Sequence, residues 1–149
     1  MAAGYLLGQV PLLAFRGLYT DLAAAGTSIK CGILLATFTP NQDTMTSYAD
    51  VTAYEQAATG NYVKGGVVCG NKTLTYSSRA TTFDLANPYW ASLTLSAIRY
   101  LFFMDATPAT DAAKKLIALY DLGATISVAA SPVQFNVPSS GLFVAVVGA

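Results

Sequence analysis

The chain has 149 residues, 54% hydrophobic and 11% charged, with eight basic and eight acidic side chains, no histidine and a mean hydropathy of +0.47. That length suits one domain with a sizeable core, and the apolar content excludes disorder over most of the chain. Zero net charge, with no basic cluster beyond Lys114-Lys115, gives nucleic acid nothing to bind. A folded chain of this mass exposes about 7,000 Å², and eight charges of each sign cover it thinly. Copies therefore do not repel one another, and a subunit partly covered by other protein is expected.

Residues 1–13 read as an extended apolar arm carrying Tyr5, Leu6, Leu7, Val10, Leu12 and Leu13 around Pro11. The run from Gly4 to Phe15 is short of the roughly 20 apolar residues of a spanning helix. The first basic residue, Arg16, follows the apolar stretch instead of preceding it, the wrong order for a secretory signal. No membrane partner and no cleaved leader are expected. Residues 14–149 then form the single domain.

Phe15, Leu18, Tyr19 and Leu22 fall at i, i+3, i+4 and i+7, which predicts a short helix continued by Ala23–Ala25 and stopped at Gly26. From Thr27 onward the pattern is mostly strand. Ile29 to Phe38 is an apolar run ended by Pro40, as for a buried strand. The segment 41–55 is polar, holds Asp43, Asp50 and Glu55, and reads as a loop in its first half, its acids as solvated surface charges. Leu74 and Tyr76 alternate with Thr73, Thr75 and Ser77, predicting a half-exposed strand, and Thr81, Phe83 and Leu85 predict the next. Ile98 to Met104 is apolar on both alternating faces except at Arg99, the pattern of a central strand bracketed by Arg99 and Asp105 as strand-end charges. Leu116 to Leu122 returns, and Gly123 separates it from a final pair, Val133 to Val137 and Leu142 to Val147. Seven or eight short strands at roughly ten-residue spacing describe an all-β, jelly-roll-like β-sandwich with one short N-terminal helix.

Chemistry is sparse. Gly65-Gly66-Val67-Val68-Cys69-Gly70-Asn71-Lys72-Thr73 departs from a phosphate-binding loop, because Asn71 separates glycine from lysine and a strand pattern follows where a helix is needed. A glycine-permitted turn is the better reading. Asn71-Lys72-Thr73 is a glycosylation sequon, expected to be without meaning where no secretion signal is expected. Asp43, Asp50 and Glu55 lack the dense carboxylate spacing of a calcium loop. Without histidine, a nucleophile elbow or an S-x-x-K motif, no serine has an activating base. No catalytic residue, metal site or cofactor is expected. Cys31 and Cys69 sit among small or apolar residues and are read as buried free thiols, and Trp90, Phe102 and Phe103 as core. Among the aromatics, Tyr5 on the apolar arm is the one placed at an interface.

An ordered series of segments carries a resemblance. It runs through Asn61-Tyr62-Val63-Lys64-Gly65-Gly66, Lys72-Thr73-Leu74, Pro88-Tyr89-Trp90 and Ile98-Arg99-Tyr100-Leu101-Phe102-Phe103. Lys115 to Gly123 and Phe135 to Phe143 complete it. Over roughly residues 15–147 this resembles the small head proteins of tailed bacteriophages known as cement or decoration proteins. The resemblance implies a jelly-roll-like domain on the capsid exterior that clamps neighbouring major capsid proteins, with no catalytic residues to transfer. The arm is more apolar than that family suggests. It is expected to act as an anchoring strap and the interface, adding a strand to a neighbour's sheet edge. The expected partners are the major capsid protein and further copies of this chain in a homo-oligomer, within a virion assembled in the host cytoplasm. A rival reading is a tail or fibre module that binds host glycans through exposed tyrosines.

Overall fold

The computed structural model describes the backbone of residues 3–6 and 21–146, and the side chains of residues 21–143. Strands account for 48% of the described residues and helix for almost none, an all-β fold. In chain order the strands are β1 (Ala3–Leu6), β2 (Ile29–Leu35), β3 (Val67–Val68), β4 (Thr73–Ser77), β5 (Ala80–Asp84), β6 (Tyr89–Asp105), β7 (Leu116–Gln134) and β8 (Phe143–Val146). They form two antiparallel sheets, one ordered β1-β7-β6-β2-β3 and the other β4-β5-β8.

The larger sheet is built around β6 and β7, a 17-residue and a 19-residue strand. The sequence predicts only their inner halves, and the reason is spacing. Trp90, Leu93, Leu95 and Ile98 all face the core at intervals of three, two and three residues, which breaks strict alternation. Each three-residue step coincides with a register shift against β7, so a bulge absorbs the extra residue and returns the apolar side chain to the core. Ala97 and Ala130 take positive φ at such shifts. Gly123 has φ +79° and bends β7 where Ile98↔Ile126 gives way to Tyr100↔Asp121. It therefore kinks one continuous strand, whereas the sequence reading has it separating two. Arg99 likewise lies inside β6, not at its end, and makes a bidentate ion pair with Asp121 of β7 at 2.9 and 2.8 Å.

Both faces of the β2-β6-β7 region are buried, which accounts for the two-sided apolarity of Ile98 to Met104. One face carries Ile33, Leu101, Phe103 and Tyr120 into a core shared with Phe83, Leu85 and Leu142 of the smaller-sheet side. The Tyr120 hydroxyl donates to the Leu142 carbonyl at 2.6 Å and ties the two together. Against the other face lie Phe38, Met45, Tyr48 and Val51, packed on Tyr100, Phe102, Met104 and Leu116. The polar segment 41–55 is thus a cover as well as a loop. It turns through two single-turn 3-10 helices, Tyr48–Asp50 and Thr52–Tyr54.

Two expectations at the N-terminal end meet different outcomes. Most of the helix predicted over 15–22 lies outside the described residues. Its continuation, Leu22 to Gly26, forms turns instead. Lys72 holds those turns in place by donating to the carbonyls of Ala24, at 2.9 Å, and Thr27.

Candidate interaction surface

Of the arm residues expected at an interface, Tyr5 and Leu6 lie in β1, where their backbones pair with Leu119 and Ala118 of this chain's own β7. Leu7, Val10, Leu12 and Leu13 lie outside the described residues. Residues 3–6 thus add a strand to a sheet of their own chain, whereas the expectation placed it on a neighbour's edge.

The acids of the polar segment do not converge. Asp50 accepts the backbone N–H groups of Thr46 and Ser47, both at 2.9 Å, and the Ser47 hydroxyl at 3.2 Å. Burial opposes ionisation there, but these donors outweigh it and hold the carboxyl below its ordinary value. Glu55 departs furthest from its expectation as a surface charge, being only 3% exposed. Its carboxylate accepts from the Tyr62 hydroxyl at 2.7 Å, the Gly65 N–H at 2.7 Å and the Tyr48 hydroxyl. Tyr62 in turn accepts the Ile33 N–H of β2 at 2.9 Å. Burial first, and the Glu55 carboxylate second, push the Tyr48 phenol up to about 12. The Tyr62 phenol is raised further, again by burial and then by Glu55. Four donors thus close around two acceptors, locking the 48–65 segment onto β2. Among the described residues no three His, Cys, Asp or Glu side chains gather as metal ligands.

This cluster was not legible in the sequence. Tyr48 and Tyr62 each stand seven residues from Glu55, which is two turns of a helix, but the segment holds only three-residue 3-10 turns, so no regular element announces the contact. The glycine segment behaves as the sequence suggests. Gly65 and Gly66 take φ of +86° and +74° in the turn before β3, and the Gly65 N–H serves a carboxylate. Cys31 and Cys69 are buried free thiols, and burial raises both above the ordinary thiol value. A cavity of about 130 Å³ lined by Ile33, Trp90, Ile98, Leu101, Ile126 and Phe135 is apolar. It is smaller than the few hundred Å³ of a usual small-molecule site.

What the surface does offer is uncharged, apolar edge. All five residues of β4 are exposed, on both faces, so the strand predicted to be half-buried is an outer strand. Leu74 is 48% and Tyr76 69% exposed. Val68 of β3, the edge strand of the larger sheet, is 60% exposed, and Val63 in the turn segment before it is 70% exposed. Tyr54, Tyr89 and Ile126 add further exposed apolar area. Comparisons with protein-family models, with curated proteins and with solved structures gave no match.

Proposed function

We propose that the chain is a structural virion protein that binds the outside of a phage capsid lattice and stabilises it by clamping neighbouring major capsid proteins. In this reading it is no enzyme and uses no cofactor, and its two sheets serve as a jelly-roll-like clasp. The observation that carries the reading is the exposed apolar edge of β4 and β3, with Tyr76 69% and Val68 60% exposed on a chain of zero net charge. Large uncovered apolar side chains mark surfaces that other protein covers. The segment series resembling decoration proteins points to the capsid as that protein. Each copy needs to bury only about 1,000 Å² to bind specifically. Many copies on one lattice then resist outward pressure through multivalency, without any single contact being strong.

The test is co-sedimentation of the purified chain with DNA-filled phage heads stripped of their outer proteins. Saturable binding at a fixed number of copies per capsomer is expected, and a folded protein that stays in the supernatant overturns the reading. A second reading, a tail or fibre module binding host glycans, draws on exposed Tyr54, Tyr76 and Tyr89. Val68→Lys on the exposed β3 edge separates the two: glycan binding through the tyrosines would survive it, whereas capsid binding is expected to weaken.

A further inference from the structure

The geometry points to a self-complementary dimer edge: we infer that β4 pairs with β4 of a second copy, antiparallel about a two-fold axis through Thr75. The argument begins at the β4–β5 turn. Ser78 and Arg79 have φ of +50° and +64°, the two-residue turn whose twist suits a tight hairpin. Such a turn is flanked by a hydrogen-bonded pair, here Ser77↔Ala80. Pairing then alternates, so Thr75↔Thr82 and Thr73↔Asp84 also exchange hydrogen bonds within the sheet. The N–H and C=O groups of Leu74 and Tyr76 therefore point away from β5. Among the described residues no strand lies on that side, because β4 ends the order β4-β5-β8.

Two outward-pointing residues separated by one inward-pointing residue define the register. A two-fold axis at Thr75 sets Leu74 against Tyr76 of the other copy, and Tyr76 against its Leu74. Both are then hydrogen-bonded pairs, and every outward group of the strand is used. Shifting the axis to Leu74 or Tyr76 instead brings Lys72 or the turn residue Ser78 into the ladder. Lys72 lies outside β4, its ammonium drawn to the carbonyls of Ala24 and Thr27, and Ser78 has turn geometry, so neither belongs to the extended ladder.

Charge is compatible with this pairing. Residues 73–77 carry no charge, and Arg79 falls opposite Asn71 of the other copy, so no like charges meet. Nothing that normally protects a sheet edge is present within the strand: no lysine, no proline, no bulge. The same register covers the exposed Leu74 and Tyr76 side chains with each other, as cross-strand apolar pairs on the face that carries Phe83. A five-residue strand pair is a small interface, so association of about micromolar strength is expected.

Sedimentation equilibrium of the full chain from about 1 to 100 µM tests the proposal. The parent should pass from monomer to dimer. T75K sets two lysines face to face at the axis, on an exposed position, and should weaken association at least tenfold while leaving circular dichroism and urea unfolding unchanged. Thr75→Cys provides the positive arm. The directly opposed, non-hydrogen-bonded position has the close spacing a disulfide needs. Oxidised glutathione should cross-link it, two thiols giving one disulfide as the glutathione disulfide is reduced to two thiols. Leu74→Cys, two positions out of register with its own copy, should not cross-link. A parent that stays monomeric at about 100 µM overturns the proposal, whether another segment or another protein covers the edge. So does association that T75K leaves intact, or cross-linking through Leu74→Cys as fast as through Thr75→Cys. The dimer takes up the β4 edge and leaves the β3 edge, with Val68 60% exposed, for a capsid; no capsid enters these measurements, so failure of the dimer is distinguishable from failure of the virion reading.

Discussion

Removing the negative charge of Glu55 should cost the fold more than any other single change to an acidic side chain. The carboxylate is 3% exposed and accepts two phenols and one backbone N–H. Hydrogen bonds to a charged acceptor contribute about 1.5–3 kcal/mol each, and a buried donor left unpaired costs about 1–3 kcal/mol. Glu55→Gln keeps the shape and one acceptor oxygen, but turns an amide N–H₂ toward one of three donors. The expected loss is about 2–3 kcal/mol. Glu55→Ala strands all three donors and leaves a void, for a loss of about 4–5 kcal/mol. These are large fractions of the roughly 5–15 kcal/mol by which domains are stable. Urea unfolding followed by the fluorescence of Trp90, the single tryptophan and a core residue, measures both. Tyr62→Phe should cost more than Tyr48→Phe, because Tyr62 also accepts the Ile33 N–H. A Gln variant within about 0.5 kcal/mol of the parent, or an Ala variant no worse than Gln, would refute the keystone role of this carboxylate.

Three further outcomes are expected. The Tyr48 phenol is raised from 10.0 to about 12 in the folded chain, so the folded state keeps a proton that the unfolded chain releases first. Its contribution to stability is complete below pH 10 and lost as pH rises from about 10 through about 12, which the urea midpoint in that window reads and Tyr48→Phe should diminish. Gly66→Ala and Gly65→Ala alter the same turn, yet a Cβ on Gly66 would lie 2.0 Å from the Cys31 carbonyl oxygen while one on Gly65 meets nothing within 4 Å. The first should cost more than about 4 kcal/mol or abolish folding, and the second about 1–2 kcal/mol for its positive φ; equal effects would contradict the close β2–β3 approach. Cys31 and Cys69 should resist an aromatic disulfide reagent in the native state and react together on unfolding, since burial keeps both thiols protonated.

Local residue pattern was enough for the all-β class and for the main elements of the core. Period-two alternation over Thr73–Ser77, the apolar run from Ile29, and the two-sided apolarity of Ile98–Met104 all became strands. Local chemistry suffices for that, because side-chain period and turn residues act within a few positions of each other. It also sufficed for the Gly65-Gly66 turn and for Trp90, Phe102 and Phe103 as core. Tertiary structure alone decided the rest. The outer halves of β6 and β7 depend on bulges, which restore the facing of Trp90, Leu93 and Leu95 only when the two strands are already paired. Leu22–Gly26 fits a helix by local propensity, yet forms turns that Lys72, 45 and more residues away, closes through the Ala24 and Thr27 carbonyls. Glu55 reads as a surface acid by composition, and becomes buried because two tyrosines and a glycine amide arrive from elsewhere in the fold to replace its water. The place of β4 at the end of its sheet among the described residues is of the same kind. Alternation places Leu74 and Tyr76 on one face, but whether a strand has neighbours on one side or two is a property of the sheet, set by long-range pairing that no local pattern encodes.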